Sequence, residues 1–290
     1  MQAVVALKAI YPVTVLLEVA HLPSSTYYVH VTRLDRPDPY ADLRARITTI
    51  FHAAHGRYGH RRIHACVRAE GHVVAKKTIL NLMRDAQLVC VIRRTRKRRP
   101  AGAMGAIAPN LLARDYRVTA PNQKWVTDIT EFHVQERRVY LTAMMDVFDR
   151  QVLAYGIATS PSVAWTNAVL HQALATLQPG ETPLVHSDQG FQYRHASWLQ
   201  VLAEAGAQPS MSRAGTCLDN ALMENFFGHL KAEMFHHTTF SDIDVLITTI
   251  HEYIAWYNTK RISLTLGGRS PVQYRAHALA IQGGDTRESD

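Results

Sequence analysis

Three stretches that read as β-strands, 124–132, 137–146 and 152–158, follow one another with only short polar turns between them. That order constrains the fold more than any other feature, because strands joined by such turns pair antiparallel. The pattern then changes. Helical spacing runs over 162–177, a short apolar strand over 182–186, a helix over 195–205, a short strand over 208–211 and a long helix over 219–235. Three antiparallel strands followed by alternating helix and strand make a mixed α/β sheet.

Ahead of this sheet the character of the chain differs. Residues 1–110 hold 18 Lys or Arg against 6 Asp or Glu, a net of +12, whereas residues 111–290 hold 14 against 18, a net of −4. A localised excess of this size suits a polyanion, and phosphate is its usual counterpart. Helical periodicity and two glycine-flanked turns give residues 1–92 as a helical, helix-turn-helix-like DNA-binding region. Its candidate contacts are Arg57, Arg61 and Arg62 around one helix start and Lys76 and Lys77 at another. Lysines in a first turn oppose the helix dipole, so stability alone explains them poorly. Residues 93–110 form a basic linker whose Arg93, Arg94, Arg96, Lys97, Arg98 and Arg99 can follow a phosphate backbone. No apolar run is long enough for a membrane span and no signal peptide is evident, so a cytoplasmic, nucleoid-associated protein is expected.

Three carboxylates stand out in the acidic half. Asp128 sits in mid-strand, where both propensity and burial disfavour an aspartate. Alternation places it on one face with Val126 and Thr130. Asp188 follows the strand ending at His186, at the carboxyl end of a buried strand, where open α/β sheets bind ligands. Glu224 lies on the long helix in a line with Asn220, Gly228 and Lys231, away from the apolar stripe of Met223, Phe226, Phe227, Leu230 and Met234. Carboxylates gathered from distant segments suit hard cations, and two Mg²⁺ ions about 3.5 to 4 Å apart serve in-line phosphoryl transfer. His186 reads as a positioning or packing residue, and Lys231 as a cation that holds DNA phosphate near the metals.

Residues 237–290 form a helical extension. Ser241 is a plausible N-cap for a helix over 241–257, and Ser270-Pro271-Val272-Gln273 has the residues of a capping box. Trp256 and Tyr257 end the first of these helices as a core pair.

These motifs resemble a known family. Trp125-x-x-Asp128-x-Thr130, His186-Ser187-Asp188-Gln189-Gly190 and Asp219-Asn220-Ala221-Leu222-Met223-Glu224-Asn225-Phe226-Phe227 look like the retroviral-integrase-type core of bacterial insertion-sequence transposases, closest to the second-reading-frame product. Tyr58-Gly59-x-Arg61-Arg62-Ile63, Asn110-Leu111-Leu112-x-Arg114-Asp115, Pro121-Asn122-Gln123-Lys124-Trp125, Ser210-Met211-Ser212 and Trp256-Tyr257-Asn258 with Arg261 and Ser270-Pro271 extend the match over nearly the whole chain.

The resemblance implies an RNase H-like catalytic core over 111–236. Asp128, Asp188 and Glu224 would be its catalytic metal ligands, with two Mg²⁺ ions or Mn²⁺ in their place. The implied function is metal-dependent cleavage of element ends and strand transfer of the 3′-hydroxyl. The partners would be the terminal inverted repeats, target DNA and further copies of the chain. Two readings compete: a nuclease that only hydrolyses, and a catalytically inactive DNA-binding regulator. No leucine zipper or complete helix-turn-helix precedes residue 13, so an upstream-frame protein, or fusion to one, is expected to supply it.

Overall fold

The antiparallel run forms as its short turns require. In the computed structural model, which describes residues 2–34, 38–92, 107–213 and 217–285, β1 (Lys124–Val134), β2 (Arg137–Asp146) and β3 (Val152–Ala158) make a meander. Two further strands, β4 (Leu184–Ser187) and β5 (Gln208–Met211), join in parallel on the other edge of β1, giving the order β3-β2-β1-β4-β5. Helices supply the crossovers. α7 (Val163–Leu174) leads from β3 towards β4, and α8 (Ala196–Glu204) leads from β4 to β5.

Both faces of the sheet are covered. On one, Val126, Phe132 and Val134 of β1 pack against Met223, Phe226, Phe227 and Leu230 of α9 (Ala221–Leu230), and against Leu246, Ile250 and Tyr253 of α10 (Ile243–Thr259). On the other, Trp125 packs with Leu170 of α7 and with Trp198 and Leu202 of α8. Alternation therefore puts Asp128 on the α9 side of the sheet.

The long helix expected over 219–235 is interrupted at both ends. A 3₁₀ turn covers Cys217–Asn220, α9 follows, and Lys231–Phe235 widens into a π-helical turn. The π turn leaves the Glu233 carbonyl to accept a bond from Arg57 Nε at 3.0 Å. Such turns often mark functional positions.

Ahead of the sheet come α1 (Gln2–Leu7), α2 (Val13–Val19), α3 (Ser24–Leu34), α4 (Ala41–Ala53), α5 (His60–Ala69) and α6 (Lys76–Asp85). The last three share a core of Ile47, Phe51, Ile63, Val67, Ile79, Leu82 and Met83, against which Trp256 and Ile262 from the C-terminal region also pack. A smaller cluster of Val4, Leu17 and Tyr27 holds the first three together.

At the C-terminal end Asp242, and not Ser241, caps α10. Its carboxylate accepts the Val245 N–H at 2.9 Å, while the Ser241 hydroxyl donates to that same carboxylate. An ionised acceptor satisfies the positive end of a helix better than a hydroxyl does. Ser270 and Gln273 exchange capping bonds at the start of α11 (Pro271–Asp285). Among the described residues no helix is long and apolar enough to cross a membrane.

Candidate active site

Parallel pairing brings two of the carboxylates to neighbouring strands. Val126 lies opposite His186, so Asp128 and Asp188 each stand two residues further along. Asp128, 8% exposed, accepts the Ile129 N–H at 2.8 Å. Asp188 accepts the Gly190 N–H at 2.8 Å where the chain turns after β4. A Cβ at Gly190 would stand only 2.9 Å from Asp188 Oδ1, which explains the glycine. The buried Tyr193 ring lies close by, with its hydroxyl near Thr127 and Thr142. Burial raises that phenol well above its ordinary value, and the charges of Asp128 and Asp188 add to the rise.

Glu224 is brought to the same strand from the other side of the site. Asn220 Nδ2 donates to the Thr127 carbonyl at 3.0 Å, and Lys231 Nζ donates to the Glu131 carbonyl at 2.8 Å. These two residues lie along one helical line with Glu224 between them. Their acceptors flank Asp128 on β1. The helix is thus tied alongside the strand at both ends of the segment that carries Glu224, and α9 packs directly on β1.

The start of α9 is held by a clasp whose Asn110, Arg114 and Asp219 show in the sequence only as parts of motifs. The Asp219 carboxylate is fully buried and accepts from Arg114 Nε at 2.7 Å, Arg213 Nε at 3.0 Å and Asn110 Nδ2 at 2.8 Å. Those bonds, from Arg213 first and Arg114 next, hold its carboxyl far below the usual range against the opposing effect of burial. Tyr116 OH donates to the Asp219 carbonyl and accepts the Ala221 N–H, so it caps the helix. Residues brought from 110–116 thereby fix the helix that presents Glu224.

His186 packs as expected. Its ring is fully buried, with Nδ1 2.8 Å from Ser210 Oγ and Nε2 3.0 Å from Ser212 Oγ, and burial pushes it down to about 4. Both nitrogens are occupied, which gives Ser210-Met211-Ser212 its role.

The donor set suits a hard divalent cation: three carboxylates, and beside them the buried Asn220 Oδ1, which has no hydrogen-bond partner among the described residues. The carboxylates are not drawn into a closed cluster. Among the described residues no three His, Cys, Asp or Glu side chains stand together as a metal-holding group.

The basic residues divide into two sets. Arg61, Lys76 and Lys77 are exposed on α5 and α6. Arg57 and Arg62 turn inward instead: Arg57 bonds the Glu233 carbonyl and lies 4.8 Å from the Trp256 ring centre, and Arg62 Nη1 reaches Glu233 Oε1 at 3.4 Å. The buried Glu233 carboxylate draws Arg62 inward, whereas a backbone carbonyl and the Trp256 ring hold Arg57. Lys231, expected beside phosphate, spends its ammonium on the Glu131 carbonyl and lies 5.1 Å from the Phe132 ring centre. Arg93, Arg94, Arg96, Lys97, Arg98 and Arg99 fall outside the described residues.

The chain is an integrase-core enzyme of the polynucleotidyl transferase type. Family models described as Integrase core domain match residues 118–217 and 224–279, and one described as HTH-like domain matches residues 39–96. The chain belongs to the insertion-sequence transposases and is an enzyme of DNA transposition with a DNA-binding domain. It is 44% identical over 269 residues to the transposase InsK of insertion element IS150 from Escherichia coli K12, covering 93% of this chain and 95% of that one. It is 42% identical over 284 residues to the IS1353 transposase of Shigella flexneri, covering 95% of this chain and 54% of that relative. Among solved structures, a chain of the simian T-cell lymphotropic virus intasome with the PP2A regulatory subunit B56 gamma aligns with a TM-score of 0.47 and 17% identity, covering 79% of this chain and 74% of that chain.

Proposed function

We propose that this transposase cuts the ends of its element and joins the resulting 3′-hydroxyl to target DNA, using Asp128, Asp188 and Glu224 as metal ligands. The observation that carries this reading is the double tie of the α9 segment to β1, through Asn220 to Thr127 and Lys231 to Glu131, with Glu224 and Asp128 between the ties. Two bound Mg²⁺ ions, or Mn²⁺, would activate a water or 3′-hydroxyl and stabilise the leaving oxygen. The protein's own part is positional. β1 and the β4 turn hold two carboxylates by backbone N–H groups, the Asp219 clasp holds the helix carrying the third, and the Tyr193 ring keeps water from the floor of the site.

Residues 1–92 bind DNA, with exposed Arg61, Lys76 and Lys77 as phosphate contacts, and residues 93–110 carry further cations between that region and the core at 111–236. Residues 237–290 brace the two through Trp256 and Arg261. The DNA partners are the terminal inverted repeats and a target duplex. Further copies of the chain, and an upstream-frame helix-turn-helix protein or fusion, complete the assembly in the cytoplasm.

A pre-cut end oligonucleotide, taken from the DNA flanking the gene, tests the joining step. With Mg²⁺ and a target duplex, the expected product is a longer strand on a denaturing gel. Shortened products alone would leave a nuclease that hydrolyses without joining.

A further inference from the structure

Against α9 lies a cavity of about 420 Å³ that the proposed reaction does not use. It forms where α5, α9, the β2–β3 turn and the segment after α10 meet, and its volume is that of an ordinary small-ligand site. Leu222 and Phe226 form one wall and Leu264 stands half-exposed on the rim, while Asn225, Ser263 and Thr265 add polar groups.

Charge makes this cavity unusual. Arg62, Arg150 and Arg261 all line it. Glu233 engages two of them, bonding Arg261 through both oxygens and Arg62 through one. Among the described residues the Arg150 guanidinium has no hydrogen-bond or ion-pair partner. The nearby Asp146 and Asp149 are already committed to Arg275. Three guanidiniums and Arg275 stand against Glu233, Asp146 and Asp149, which leaves a surplus of one positive charge beside apolar walls.

The turn between β2 and β3 sets where the Arg150 side chain leaves the backbone. Arg150 has φ of +63°, a conformation that side-chain-bearing residues seldom adopt, and its N–H is bonded to the Asp146 carbonyl at 2.9 Å. The effect is to hold an unneutralised guanidinium on the cavity wall. The surplus also reaches His229 at the cavity edge, which burial pushes down to about 4, with Arg261, Arg62 and Arg150 adding to the fall and Glu233 opposing it.

An anion with a flat, largely apolar body meets these demands. Asn225, which follows Glu224 on α9, lines the cavity. We propose that the cavity seats one unpaired nucleotide of the bound DNA, with its phosphate against Arg150 and its base between Leu264 and the Leu222–Phe226 wall. Apolar side chains and a few polar edges are how proteins hold a base taken out of the stack. This inference rests on the proposal that the carboxylate face works on DNA.

The test compares a blunt duplex with the same duplex carrying a single-stranded overhang, using fluorescence anisotropy with the full chain and no divalent metal. Wild type is expected to bind the overhang duplex about tenfold tighter, the scale of one stacked base. Arg150→Gln and, separately, Leu264→Asp at the exposed rim should reduce that preference to less than about twofold while blunt-duplex affinity stays unchanged. Thymidine monophosphate should compete for the overhang preference, and inorganic phosphate at the same concentration should not. Equal binding of both duplexes by wild type overturns the proposal, as does full preference in Leu264→Asp or equal weakening of both duplexes in Arg150→Gln. Competition by phosphate as effective as by the nucleotide reduces the cavity to a simple anion site and also overturns it. Blunt-duplex binding together with Mg²⁺-dependent joining reports on the proposed function separately, so either can fail alone.

Discussion

Asn220 Nδ2 donates to the Thr127 carbonyl at 3.0 Å, joining the start of the Glu224 helix to the residue before Asp128. This bond sets the distance between two carboxylates that lie 96 positions apart in the sequence. Asn220→Ala leaves a buried carbonyl unpaired, at a cost of about 1–3 kcal/mol. Turnover should fall by at least about a hundredfold, because small misplacements of reacting groups carry penalties of that order. Unfolding and single-turnover cleavage measured on the same preparation check this; a stability loss with unchanged turnover would show that the tie does not place Glu224.

Gly190 reports on Asp188. A methyl at this position meets Asp188 Oδ1 at 2.9 Å and Gln192 Oε1 at 3.2 Å. Gly190→Ala should therefore lower turnover by about tenfold, roughly 1.4 kcal/mol of barrier, with DNA affinity unchanged. Steady-state kinetics separate the two, and a change in affinity alone would place Gly190 on the DNA surface instead.

Glu233 is the electrostatic centre of the junction between the helical region and the core. Burial pushes its carboxyl up, but bonds from Arg261, with Arg62 and Tyr253 adding, bring it below the usual value of 4.5. The folded state therefore binds fewer protons than the unfolded chain there. Its contribution to stability is full above about pH 4.5 and is lost as pH falls through the unfolded value towards the folded one. Glu233→Gln should cost about 3–5 kcal/mol at neutral pH, because it strands the buried Arg261. The difference from wild type should shrink below about pH 4.5 in urea unfolding; a pH-independent difference would mean that packing, and not charge, is what the substitution removes.

The sheet was legible in the sequence, and the clasp around the site was not. Apolar runs bounded by polar turns mark β2 and β3 to the residue, and β2 is buried on both faces over its last six residues. The α9 region was read as one helix, since the 3₁₀ and π turns at its ends depend on partners far away: Asp219 on Arg114, and Glu233 on Arg57 and Arg261. Such ion pairs have no local pattern. Arg57 and Arg62 look like surface cations for the same reason, since nothing within several residues shows that the carbonyl and the carboxylate of Glu233, 176 and 171 positions away, will claim them.

That division predicts different outcomes for the basic residues. Arg62→Gln should lower stability with little change in DNA affinity, whereas Lys76→Ala or Lys77→Ala should weaken DNA binding and reduce its salt dependence by about one unit of slope each. Salt-titrated binding and thermal unfolding of the three variants check this. Loss of affinity in Arg62→Gln with unchanged stability would return that arginine to the DNA surface.

The most direct measurement is Mg²⁺-dependent joining of a pre-cut end by wild type, Asp128→Asn, Asp188→Asn and Glu224→Gln, with DNA binding measured on the same preparations. Joining should be abolished in all three variants while binding stays within about twofold of wild type. Undiminished joining by any one of them would remove that residue from the metal site and contradict the convergence of β1, the β4 turn and α9 on one reaction centre.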